Sequence, residues 1–593
     1  MSRHRALWQT CVRRGARVLV FMPLLAVQQP ALAGSDGAAG TSQSRCEAMA
    51  AGGNITAAVW HPAGLVIDNG REGKSPPLPA HCEVSGVLQP RVGEGGQHYA
   101  IRFRMRLPEA WNQRFFFQGG GGSNGVIGTA AGPEGIGNPL ALSQGYAVVS
   151  QDSGHDNLTN NDPARGGVLV FGFDPIARRN YGHASLKLTN DAAHVILRRF
   201  YRRDARFSYF YGCSKGGQEG MAFAQKYPRS FDGIVAAAPG FSLPKAAVAQ
   251  IWDVQKFAAI NSARDIGALA RTFSDSDFSI VRNAILGTCD ADDGVADGMV
   301  SAVGLCTTPR VRQALSRHIC SGDNTDACLT GAQVDALVSS VEGPRTANGA
   351  SLYAPFAWDP GIGLGGWRVW KIGTADAMPA LSVVLGGGSL ASVFTTKPTP
   401  LAASPDALIR WALDFDFDSD AARIFATSDD FKTSAWQDIS ARSPDLAAFR
   451  AHGGRMIVPH GVADPVFSVN DTLAWWNEVD GRAHGHADAF VRVFPVPGMN
   501  HCAGGDATDR FDAFKALVDW VEKHQPPDKL LASAGPGTHW PGRTRPLCAY
   551  PNVALYKGVG DVGAAENFAC AATPARSSTL FSSSANGAIA NAP

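Results

Sequence analysis

The chain has 593 residues, 45% of them hydrophobic and 18% charged, with 53 basic against 52 acidic side chains and a net charge of +1. That composition supports a large globular core and excludes a disordered, collagenous, coiled-coil or polytopic membrane chain. Balanced charge leaves no broad field of one sign to hold nucleic acid or an anionic membrane surface.

Residues 1–33 read as a signal peptide. Arg3, Arg5, Arg13, Arg14 and Arg17 make a basic start without an acid, an apolar run follows from Val18 to Val27, and Ala31-Leu32-Ala33 fits small-residue cleavage. The apolar run is shorter than the roughly 20 residues a membrane span needs. No Cys follows the cleavage point, so a lipid anchor is not expected, and Arg13-Arg14 lacks the rest of a twin-arginine motif. An exported chain, periplasmic or secreted and without a stable membrane anchor, is therefore expected. Cys11 leaves with the leader, and ten Cys remain. Export permits their oxidation. Local spacing favours Cys46–Cys82, Cys289–Cys306, Cys320–Cys328 and Cys548–Cys570, which leaves Cys213 and Cys502 as the fifth pair. The alternative is free buried thiols or zinc ligands, and the absence of CxxC speaks against zinc.

Buried strands that run into turns recur along the mature chain. They are Arg114–Gln118 before Gly119–Gly122, Tyr146–Ser150 before Asp152-Ser153-Gly154-His155, Ser208–Tyr211 before Gly212, and Gly233–Ala237 before Pro239-Gly240. Two more follow far downstream, Arg455–Pro459 before His460-Gly461 and Val491–Val496 before Pro497-Gly498. Helical periodicity covers Leu188–Tyr201 and Gln218–Lys226. Strands alternating with helices predict an α/β fold, a mostly parallel sheet covered by helices on both faces. Residues 241–446 break the rhythm, with four Cys, an Asp cluster and several Trp. They are expected to form a lid-like domain inserted between two parts of the sheet domain, 34–240 and 447–575. Residues 576–593 read as a frayed tail.

Gly212-Cys213-Ser214-Lys215-Gly216 matches G-x-S-x-G between a predicted strand and a predicted helix. In that context a sharp turn strains the Ser and lifts its hydroxyl above the sheet. The Lys215 amide, at a helix N-terminus, is placed to stabilise an oxyanion. A Ser nucleophile needs a base and an orienting acid, here expected in the chain order Ser, acid, His. Asp464 follows the strand Arg455–Pro459, and His501 follows Val491–Val496. His460 is the rival base, but it precedes the acid and reads as a structural turn residue. Asp152 and His155 precede Ser214 and read as site-wall or structural residues. Cys213 and Cys502 adjoin Ser214 and His501, so a disulfide between them would set the two loops side by side.

These residues resemble the tannase/feruloyl esterase family of α/β-hydrolases, and within it the mono(2-hydroxyethyl) terephthalate hydrolase branch. Gly212–Gly217, His460-Gly461 with Asp464, and Gly498-Met499-Asn500-His501-Cys502 carry the likeness, which extends from about Cys46 to Cys570. The resemblance implies Ser214 as nucleophile, His501 as base, Asp464 as orienting acid and Gly122 as the second oxyanion donor beside Lys215. Lys215 stands where the related hydrolase carries Glu. The resemblance further implies a structural calcium ion in the lid, held by the Asp290, Asp293 and Asp297 carboxylates with the Val295 and Met299 carbonyls. Such a hard cation suits a tight acidic loop, although this is not an EF-hand. Trp370, Phe394 and Phe467 would wall a flat aromatic pocket. Leu381 stands near the position of the family Arg that grips a free carboxylate, with Arg368 or Lys371 as the nearest substitutes.

The expected activity is hydrolysis of small aromatic esters of hydroxycinnamoyl or galloyl type through an acyl-enzyme, by a monomer or weak oligomer needing no organic cofactor. Terephthalate monoester hydrolysis is the alternative. A non-catalytic calcium-dependent binding protein is the reading from a different class, and a serine peptidase is a weaker third.

Overall fold

The computed structural model describes residues 41–573, apart from 70–72, 133–134, 322–326 and 375–377. The predicted signal peptide and tail lie outside the described residues.

Nine strands form one sheet, in the spatial order β1-β2-β3-β5-β4-β6-β7-β8-β9. They are β1 (Ile55–His61), β2 (His81–Val92), β3 (His98–Pro108), β4 (Arg114–Gln118), β5 (Ala147–Gln151), β6 (Phe207–Cys213), β7 (Gly233–Ala237), β8 (Arg455–Gly461) and β9 (Val491–Val496). The six from β4 to β9 pair in parallel, and β1, β2 and β3 extend the sheet antiparallel through β5. The expected α/β architecture is present, and the six predicted strands differ from the observed ones by at most two residues at an end.

Both faces of the parallel part are covered, which is why its strands read as unbroken apolar runs. Phe115 and Phe117 of β4 join a core with Phe210, Ile234 and Val458, whereas Phe116 points the other way into a core with Tyr209, Val235 and Ile457. All three Phe are fully buried, each worth about 1.5–3 kcal/mol relative to exposure. Helix α1 (Ser185–Tyr201) buries Leu186, Ala193, Ile196, Leu197 and Phe200, one stripe at helical spacing, and stops at Arg202 in the left-handed region (φ 59°). Helix α2 (Lys215–Lys226) starts directly after Ser214.

Between β7 and β8 the described residues carry helices and no strand longer than an isolated bridge. Helix α3 (Leu243–Asn261) anchors this segment, burying Ile251, Val254 and Phe257 among Phe278, Val338 and Trp367. Helix α4 (Asp275–Cys289) leads into the acidic turn, and α5 (Gly365–Lys371) carries Trp370. After β8, α6 (Val469–Arg482) and α7 (Ala513–Lys523) return to the sheet, and two short hairpins close the described chain, β10 (Lys529–Ser533) with β11 (Thr544–Cys548) and β12 (Val553–Tyr556) with β13 (Phe568–Ala571). All five expected disulfides are formed. No helix among the described residues is long and apolar enough to cross a membrane.

Candidate active site

Ser214 sits between β6 and α2 with φ 65° and ψ −120°, a backbone state that L residues avoid and that persists only when the surroundings hold it. A Cβ at Gly212 would lie 2.6 Å from the Gly216 backbone, and one at Gly216 would lie 2.6 Å from the Gly120 carbonyl. The two motif glycines are thus what allow strand, elbow and glycine loop to cross. The Cys213–Cys502 bond joins Cα atoms 6.0 Å apart and brings the loops of Ser214 and His501 together.

His501 Nδ1 donates to Asp464 Oδ2 at 2.8 Å. This leaves Nε2 as the acceptor nitrogen, the tautomer a general base requires. No hydrogen bond joins Ser214 Oγ to His501 among the described contacts; such bonds are often long before substrate tightens them. Asp464 is 3% exposed, and its Oδ1 accepts the Val466 and Phe467 amides. Burial opposes its ionisation, but His501 and His460 together hold it well below the usual carboxylate range. His460 is fully buried between Thr472 Oγ1 and the Phe467 carbonyl, with Nε2 3.4 Å from Asp464 Oδ2. Asp152 accepts the Arg102 and Gly154 amides and His155 stacks on Phe171, so both serve the scaffold.

The glycine loop runs beside the elbow. Gly122 has φ 59°, and a Cβ there would meet nothing within 4 Å. Its neighbours are fixed by groups that sequence reasoning missed. Glu219 accepts the Gly120 amide, Asn124 accepts the Gly121 amide, and Tyr181 donates to the Gly122 carbonyl. On the base loop, Asp359 accepts the Gly498 amide at 3.0 Å; burial pushes this acid up to about 6. Apart from Asn124, these partners lie 59 to 139 residues from what they hold, and no local pattern marks them.

Trp370 and Phe467 bracket the imidazole, with ring centroids 5.7 and 5.3 Å from His501. Phe394, 3% exposed, stacks on Tyr181, whose hydroxyl holds the Gly122 carbonyl. Leu381 precedes the helical turn Ser382–Gly387. Arg368 donates to the Phe273 and Ala270 carbonyls, and Lys371 is buried in an ion pair with Asp253, so both cations already have partners.

A sequence model of the family described as tannase and feruloyl esterase matches residues 82–571. The chain belongs to the tannase and feruloyl esterase family. It is 41% identical over 565 residues to the mono(2-hydroxyethyl) terephthalate hydrolase of Piscinibacter sakaiensis, covering 90% of this chain and 92% of that one. It is 28% identical to a probable feruloyl esterase of Arthroderma benhamiae, over 79% and 81% of the two chains. The fold matches feruloyl esterase B from Aspergillus oryzae with a TM-score of 0.70 at 23% identity, over 90% of this chain and all of that one. Membership makes this chain a carboxylic ester hydrolase.

The acidic turn of residues 290–297 lies at the end of α4, tied by Cys289–Cys306. Asp290 accepts the Asp297, Gly298 and Met299 amides, Asp293 accepts the Val295 and Ser301 amides, and Asp297 pairs with Arg545. Burial pushes Asp293 up to about 7, helped by the nearby Asp297 carboxylate and opposed only by hydrogen bonds from Ser301 and Val295. Among the described residues Asp290 and Asp293 form no ion pair and Asp297 is paired with Arg545, so the turn offers two unpaired buried carboxylates of the oxygen-donor kind a hard cation takes. His61, His81 and Glu83 also bring ligand atoms within 4.8 Å of one another. There, however, Arg106 pairs with Glu83 at 2.8 Å and Arg104 approaches it at 3.4 Å. Positive charge already occupies that site, so it does not read as a metal centre.

Proposed function

We propose that the chain is an exported serine esterase that hydrolyses esters of small, flat aromatic acids through an acyl-enzyme. The observation that carries this reading is a strained Ser214 joined through Cys213–Cys502 to the loop of His501, whose imidazole is oriented by ionised Asp464 and flanked by two aromatic rings. Ser214 Oγ attacks the ester carbonyl while His501 Nε2 takes its proton. The oxyanion forms against the Lys215 and Gly122 amides. His501 then returns the proton to the leaving alcohol, and water, deprotonated by the same imidazole, releases the acid. Asp464 holds the tautomer and stabilises the imidazolium.

Trp370 and Phe467 favour an aromatic acyl group. With Arg368 and Lys371 engaged elsewhere, nothing identified in the pocket offers a guanidinium fork to a free carboxylate. This favours uncharged hydroxycinnamoyl or galloyl esters over terephthalate monoesters. The second reading, terephthalate monoester hydrolysis, draws on the 41% identical relative alone. Comparing kcat/KM for feruloyl, galloyl and terephthaloyl monoesters decides between them. The first reading expects the anionic substrate to be poorest, and equal or better turnover of it would favour the second.

Asp290, Asp293 and Asp297 with the Val295 and Met299 carbonyls would hold a calcium ion, which when bound compensates their charge and stiffens the inserted segment, read here as a lid. Five disulfides suit an oxidising compartment, which supports export.

A further inference from the structure

We propose that the side chain of Lys215 is a positioning residue for the oxyanion loop, acting through Glu219 and never touching substrate. This rests on the serine-esterase reading above, in which only the Lys215 backbone takes part.

The Lys215 ammonium is buried in the protein. It donates to Glu219 Oε1 at 2.9 Å, and the two side chains are 1% and 0% exposed. The same Glu219 oxygen accepts Asn124 Nδ2 at 2.7 Å, and its other oxygen accepts the Gly120 amide at 2.9 Å. Asn124 in turn accepts the Gly121 amide at 2.8 Å. On its other side the ammonium lies 4.6 Å from the centroid of the Tyr181 ring, whose hydroxyl donates to the Gly122 carbonyl at 3.2 Å. Three successive glycine peptides are therefore held by groups that touch Lys215 or its ion-pair partner.

A run of glycines has the most backbone freedom to lose, so a donor on it is only as well placed as its ties. Glu219 is the central tie, and a carboxylate this deeply buried is costly unless a cation faces it. With the ammonium in place it accepts from three donors at once. Without it, the buried carboxyl loses the cation that faces it, and its ties to Gly120 and Asn124 loosen. Oxyanion contacts count only in the transition state, so the damage should fall on kcat rather than KM.

The test is Lys215→Met in the full mature chain, assayed with a 4-nitrophenyl hydroxycinnamate from pH 6 to 9. We expect kcat to fall about 10–100-fold at pH 7 while KM stays within about twofold, because a displaced oxyanion donor acts on the chemical step. Because Lys215 acts through Glu219, the two side chains should be coupled: Lys215→Met/Glu219→Gln should lose no more kcat than the worse of the two single variants. Unchanged kcat, a change in KM alone, or losses that multiply in the double variant would each overturn the proposal. Should Lys215→Met not fold, Tyr181→Phe removes a single tie and is expected to cost about 3–10-fold in kcat at constant KM; no loss there is equally damaging. If the wild type itself neither hydrolyses the ester nor labels at Ser214 with a fluorophosphonate, the esterase reading fails instead.

Discussion

Asp464 and Asp293 are acids of nearly equal burial, 3% and 2% exposed, yet the protein drives them in opposite directions. Asp464, between β8 and α6, is met by two imidazoles and is held well below the usual carboxylate range against the cost of burial. Asp293, in the acidic turn after α4, is met by the Ser301 hydroxyl and backbone amides, and burial pushes it up to about 7. Depth alone does not set the charge of a buried acid; the partners do. The loop proposed as catalytic carries its own hydrogen-bonding imidazoles, whereas the acidic turn, on the reading proposed above, would take its counter-charge from a bound cation.

The sharpest way to break this comparison is to neutralise both acids. Asp464→Asn should cost kcat about 10⁴-fold, because an amide no longer enforces the productive imidazole tautomer. Asp293→Asn should leave kcat within about tenfold of wild type, since its loop touches no reacting group. Ester hydrolysis assays on both variants check this, and equal losses would erase the distinction drawn here.

Next in size is the covalent clamp. Cys213→Ser/Cys502→Ser frees the loops of Ser214 and His501, and a displacement of about 1 Å at such a centre costs up to about 100-fold. A Cys46→Ser/Cys82→Ser pair, remote from the triad, should lower Tm without a comparable change in kcat. Parallel kinetics and thermal melts separate the two effects.

Calcium sharpens the other half. Saturating the folded chain at about 100 times its Kd should add about 2.7 kcal/mol of stability. Thermal melts with calcium and with chelator should show that gain in the wild type and its loss in Asp293→Asn.

The smallest effect is in pH. Asp293 binds its proton more tightly folded than unfolded, so its contribution is fully present below the unfolded value and is lost as pH rises through about 7. Chelated protein should therefore lose Tm between about pH 4 and 7, and calcium should remove that part of the loss. Asp152 and Asp359, both pushed up to about 6, slope the same way with or without the ion, so the calcium-dependent difference is the quantity to read. Asp464 has the opposite sign, its contribution being lost only as pH falls below the ordinary carboxylate range.

The parallel strands were legible because burial on both faces leaves unbroken apolar runs such as Arg114–Gln118, stopped by Gly or Pro. Strands β1, β2 and β3 escaped because one of their faces is polar. The signal was present in β3, where Ile101, Phe103, Met105 and Leu107 are buried and alternate with Arg102, Arg104 and Arg106. The loops of Ser214, Asp464 and His501 were legible because each follows a strand, and cysteine spacing paired all ten Cys correctly. The placement of Phe394 on Tyr181 and the prior engagement of Arg368 and Lys371 were not legible. Nor were the ties from Glu219 and Asp359, since each depends on a contact that only the folded chain makes.

The central claim is that Ser214 is the nucleophile. The most direct test mixes the mature chain with a 4-nitrophenyl aromatic ester, quenches in acid within the first turnovers and maps the adduct by peptide mass spectrometry. An acyl group on Ser214, absent from Ser214→Ala together with the activity, is the predicted result. Full hydrolysis by Ser214→Ala, or an acyl group carried on another residue, would contradict it.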